Sequence, residues 1–71
     1  MAKLAGVNHL RAINALEKAG FEVVRQGRKH IVMTDGSRFV TIPRHNPVHA
    51  YTMEGIVKDA GLTVAQFRKL L

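Results

Sequence analysis

The sequence predicts a single α+β domain: a three-stranded antiparallel sheet covered by helices on one face, in the order α-β-β-β-α-α. Three observations predict it. Helical periodicity is confined to the two ends of the chain, three short β-branched and aromatic runs lie between Phe21 and Ile42, and an Asp35-Gly36 pair separates the last two runs. No repeat, low-complexity tract or long linker divides the 71 residues, so one domain over residues 1–71 is expected, with Met1 to Gly6 frayed. A chain this short buries only about 60% of the surface its unfolded form exposes, so its core is thin.

From Val7 to Ala19, Leu10, Ile13 and Leu16 with Ala12 and Ala19 share one broad face, as in an amphipathic helix. Asn8 is its N-cap candidate, because the side chain can accept a free backbone N–H, and Gly20 is its stop. Phe21 to Gln26 and His30 to Thr34 then read as strands joined by Gly27, Arg28 and Lys29. Asp35, Gly36 and Ser37 turn the chain into a third strand, Arg38 to Ile42. Strand alternation puts Ile31 and Met33 on one face and His30, Val32 and Thr34 on the other, while Val40 and Ile42 oppose Phe39 and Thr41. The first set of each is expected to be buried, which leaves His30 on the open face. Pro43 opens an irregular loop through Tyr51. A second helix is expected from Met53 to Ala60 with Thr52 as N-cap and Gly61 as stop, and a third from Thr63, where Thr63 and Gln66 form a capping box.

Eleven Lys and Arg against five Asp and Glu leave a net charge of +6, which favours polyanions. The positive charge is concentrated. Arg25, Arg28, Lys29, Arg38 and Arg44 fall between Arg25 and His45, where Asp35 is the one acid. There are no cysteines, hence no disulfide staple and no thiolate zinc site, which suits a reducing cytoplasm. No stretch is long and apolar enough to span a bilayer, the N-terminus lacks the layout of a signal peptide, and a soluble cytoplasmic protein is expected.

The candidate chemistry centres on Gly27-Arg28-Lys29-His30. A histidine titrates near neutrality, so it can take a proton from a ribose 2′-hydroxyl and return one to a leaving 5′-oxygen, while two adjacent cations hold the scissile phosphate. From spacing alone, an ordinary exposed strand histidine beside a solvated charge pair is the commoner reading. His45 and His49 have a spacing that metal ligands use, but with no cysteine, nearby carboxylate or helical frame no metal is expected; RNA contact suits His45 better. The five acids are scattered, which argues against a two-carboxylate hydrolase. Tyr51 and Phe39 could stack bases if exposed, although core packing is the default for both. No phosphate-cradling glycine loop is present, and no cofactor is expected.

Leu16 to Phe21 (LEKAGF), Arg25-Gln26, His30 four residues after that glutamine, Val40 to His45 (VTIPRH) and Lys58 to Thr63 (KDAGLT) together resemble the HicA family. The resemblance runs from about Val7 to Leu71. It implies a fold similar to double-stranded-RNA-binding domains, a toxin that cleaves mRNA through a sheet histidine falling on His30, and a HicB-like antitoxin as partner; with no metal ligands in the sequence, the cleavage is expected to be metal-independent, with the 2′-hydroxyl as nucleophile. Arg28 and Lys29 stand where that family usually has Gly-Ser, and Tyr51 replaces a common glycine. The site residues expected on this basis are His30 as general base or acid, with Arg25, Arg28, Lys29, Arg38, Arg44 and His45 binding RNA. A non-catalytic double-stranded-RNA binder with the same layers is the alternative.

Overall fold

The computed structural model describes residues 6–71, in which α1 (His9–Lys18), β1 (Glu22–Gln26), β2 (His30–Thr34), β3 (Phe39–Pro43), α2 (Ala50–Asp59) and α3 (Val64–Leu70) follow in the expected order. Of the segment expected to be frayed, residues 1–5 lie outside those described, and Gly6 sits in a turn. Asn8 starts α1 by accepting the Leu10 N–H at 2.7 Å. The stripe that α1 buries is Ala12, Ala15 and Leu16, with Ala19 half-buried beyond it, the i, i+3, i+4, i+7 set of one helix face. Two expectations are corrected here. Leu10, placed on the buried face, is 58% exposed, because it precedes Ala12 by two residues and so points more than half a turn away. Val7, placed in the helix, is extended and buried, bridging to Val48, whose N–H donates to the Val7 carbonyl at 2.7 Å.

The sheet has the order β1-β2-β3, antiparallel throughout. Ile31, Met33, Val40 and Ile42 point to one face and are buried under the helices, as alternation predicts. β3 packs against both α1 and α2, and α3 packs against both of those helices. Phe67 of α3, with Leu16, Met33, Ile42 and Met53, forms the fully enclosed centre, each side chain contributing about 1.5–3 kcal/mol by leaving water. The capping box at Thr63 and Gln66 is present, with bonds of 3.1 and 2.9 Å.

The strand and helix limits shift in places. Phe21 stays outside β1 because its N–H closes the end of α1 on the Leu16 carbonyl at 2.9 Å. Pro43 belongs to β3 as its last residue, while Arg38 remains in the turn. α2 begins at Ala50, three residues before the expected Met53, because the Nδ1 of His49, rather than Thr52, caps it by accepting the Tyr51 N–H at 3.3 Å. Thr34, expected on the open face, is buried. Its hydroxyl donates to the Arg38 carbonyl at 2.6 Å and accepts the Gly36 N–H at 3.0 Å, which folds the side chain into the turn. Core packing fails for both Phe39 and Tyr51, which are 66% and 82% exposed. Phe39 sits on the face opposite Val40 and Ile42, and Tyr51 sits in the first turn of α2, away from the buried Met53, Ile56 and Val57.

Candidate functional site

Simple alternation along β1 would send Arg25 to the buried face, since Val23 pairs with Met33 there. A bulge prevents this. Val23 opposes Met33 and Arg25 opposes Val32, so Val24 is an extra residue between them. Directly opposed residues of an antiparallel pair share a face, so the bulge returns Arg25 to the open side beside Val32 and, one strand on, Thr41. His30 lies two residues along β2 from Val32 and is exposed on that same side.

Around His30 the β1–β2 turn closes with the Gly27 N–H donating to the His30 carbonyl at 2.8 Å. Arg25, Gly27, Arg28, Lys29, His30, Val32 and Thr41 line an open groove of about 490 Å³ with a neutral floor and cationic walls. Among the described residues, the side chains of Arg25, Arg28, Lys29 and His30 make no hydrogen bond or ion pair with the protein, so their donors face solvent. An imidazole among three cations, open on one side, suits a phosphodiester: the cations neutralise phosphate charge and the imidazole moves a proton.

Arg44 has a different place. Its backbone N–H donates to the Lys29 carbonyl at 2.9 Å, and its guanidinium Nε–H donates to the Gly27 carbonyl at 2.8 Å. It thus braces the turn on which His30 sits, a role that no local pattern signals because the partners are seventeen residues apart. Val32 and Thr41 floor the groove; alternation puts both on the open side, but neither side chain carries a chemical signal that marks it as part of a site. Arg38 is not brought to the groove. It lies in the turn beyond the opposite end of β2, whose ends are about 13 Å apart at ~3.3 Å per residue, with its guanidinium 3.5 Å from the Asp35 carboxylate and packed over Gly61. A Cβ on Gly61 would fall 2.9 Å from the Arg38 Cζ. The backbone N–H groups of Arg38 and Ser37, at 2.7 and 2.9 Å, hold the Asp35 carboxyl below its ordinary value, with the Arg38 charge adding to them. His45 is exposed in the loop after β3 and does not line the groove. His49 stacks on Tyr51, ring centroids 6.4 Å apart. Among the described residues no three His, Cys, Asp or Glu side chains cluster as metal ligands. No helix there is long and apolar enough to cross a membrane.

A family model described as HicA toxin of bacterial toxin-antitoxin matches residues 11–62, which takes in most of α1, the whole sheet, α2 and every residue lining the groove. No curated protein and no solved structure matches the chain.

Proposed function

Because the chain belongs to the HicA toxin family of bacterial toxin–antitoxin systems, we propose that it acts as a metal-independent endoribonuclease that cuts mRNA through the imidazole of His30. The observation that carries this reading is the exposed His30 in one groove with Arg25, Arg28 and Lys29. The 2′-hydroxyl is the nucleophile: its oxygen attacks the adjacent phosphorus, the P–O5′ bond breaks, and a 2′,3′-cyclic phosphate and a free 5′-hydroxyl result. His30 takes the 2′ proton or supplies one to the 5′-oxygen, with a water molecule making the other transfer. Arg25, Arg28 and Lys29 hold the phosphate and offset the charge that builds on it. Arg44 keeps the turn in shape. His45, outside the groove, serves as a more distant contact for the RNA backbone, whereas Arg38, paired with Asp35 over Gly61, is not part of this reading. Cutting mRNA in the cytoplasm stops translation, and a HicB-like antitoxin relieves it by covering this face.

Purified, antitoxin-free protein incubated with RNA in EDTA should leave ends bearing 2′,3′-cyclic phosphate. Replacing His30 with Ala should lower the rate by about 10²–10⁴, the usual contribution of general acid–base catalysis, without altering the circular-dichroism spectrum. Cleavage that survives the substitution removes His30 from the mechanism. RNA that is bound but stays intact would favour the non-catalytic double-stranded-RNA binder, which shares the same layers.

A further inference from the structure

The open face of the sheet changes character along its length. At the His30 end it is cationic. At the other end, where Thr34 pairs with Phe39 on one side and Glu22 on the other, the cations stop and Phe39 stands 66% exposed, with the bulged Val24 of β1, two strands away, at 50%. Thr34 is folded into its turn and does not rise between them. Arg38, the one cation in that turn, leans over Gly61 and pairs with Asp35 instead of joining the open face. A ring left in water at this end, with a carboxylate two strands away on the same face, does not suit a phosphate. It suits the flat, uncharged face of a base, whose edge donors a carboxylate can accept.

We propose that Phe39 is the stacking platform of a second subsite, which holds a base of single-stranded RNA while the cationic groove holds the scissile phosphate. This rests on the nuclease reading above and adds the substrate class, a single strand whose bases are free to splay onto the sheet. The occupant follows from charge complementarity. One continuous face presents cations where a phosphate must sit and an aromatic ring where a base can. The two ends are about 13 Å apart along the strands, four residues at ~3.3 Å, a distance covered by about four stacked nucleotides at ~3.4 Å each, or by fewer if splayed.

The test measures binding of a short mixed-sequence single-stranded RNA in the His30→Ala background, where the strand survives, with cleavage by protein carrying His30 followed in parallel. Phe39→Ala should weaken binding ~5- to ~150-fold, the equivalent of ~1–3 kcal/mol per stacked base, and Phe39→Trp should restore it. The slope of affinity against salt should not change, since no phosphate contact is lost. Phe39 is exposed, so both variants should keep the parent's melting temperature within a few degrees. If Phe39→Ala binds as the parent does while protein carrying His30 still cuts RNA, the subsite is wrong and the nuclease reading stands. Absence of both binding and cleavage in the unsubstituted chain overturns both. RNA binding that is unchanged by Phe39→Ala, with a weakened antitoxin complex, would make the ring a protein contact and end the proposal.

Discussion

The two hairpin turns of the sheet are built on opposite plans. The β2–β3 turn fastens itself: Thr34 bonds Arg38 and Gly36, and Asp35 accepts the N–H groups of Ser37 and Arg38, all within four residues. The β1–β2 turn receives its side-chain brace from elsewhere, since the Arg44 guanidinium reaches across seventeen residues to Gly27, and its own Arg28 and Lys29 side chains remain uncommitted. On the function proposed above, the difference separates a turn that must hold its shape from one that must also hold a ligand. Polar side chains used for fastening are not available for binding, so the working turn takes its brace from a neighbouring segment.

The largest test of this contrast strips the β1–β2 turn of its two cations. Arg28→Gly with Lys29→Ser should fold normally but lose roughly 30-fold or more in RNA affinity, from two charge-assisted contacts at about 1 kcal/mol or more each. The plot of log affinity against log salt should flatten by about 1.4, two phosphates at ~0.7 each for a single strand. An unchanged slope would mean that neither cation touches phosphate. Arg44→Ala should act differently, lowering the cleavage rate about tenfold, or ~1.4 kcal/mol, chiefly in kcat, while the Gly27 amide exchanges faster with solvent. A change confined to KM would make Arg44 an RNA contact and not a brace.

In the self-fastened turn, effects should appear in stability and leave cleavage alone. Thr34→Val keeps the shape but removes a buried hydroxyl bonded twice, and should cost about 1 kcal/mol, a fall of roughly 4–8 °C in Tm by calorimetry. The smallest effect is expected of Asp35→Asn. Because the folded chain lowers the Asp35 pKa, its carboxylate favours folding above the ordinary carboxylate range, and that contribution disappears as pH falls through the lowered value. The variant should melt slightly below the parent at neutral pH and converge with it in acid; a gap that widens in acid would contradict this.

What was readable in the sequence follows the same division. The self-fastened turn is announced by Asp35-Gly36, the buried face by the alternation of Ile31, Met33, Val40 and Ile42, and the start of α3 by Thr63 and Gln66, because each depends on residues close together in the chain. His30 on the open face was readable for that reason. Arg44 as a brace was not, since its hydrogen bond depends on how β3 leads its loop past the first turn. Arg38 was grouped with the other cations by proximity in sequence, yet its side chain turns toward Gly61 at the far end. Core packing is only a default for an aromatic ring: the alternation that buries Val40 and Ile42 already turns Phe39 to the open face, while no such local pattern fixes Tyr51.

The extra residue in β1 has a consequence for how this strand tolerates insertions and deletions. Removing one residue from a regular strand turns everything beyond it to the wrong side. Here Val23 and Arg25 already oppose successive residues of β2, so a chain lacking Val24 would keep Arg25 and Gln26 against their present partners in an unbroken ladder. The deletion should shed an exposed valine and some local twist while the rest of the sheet stays in place, making Val24 a position where this protein can shorten without being rebuilt.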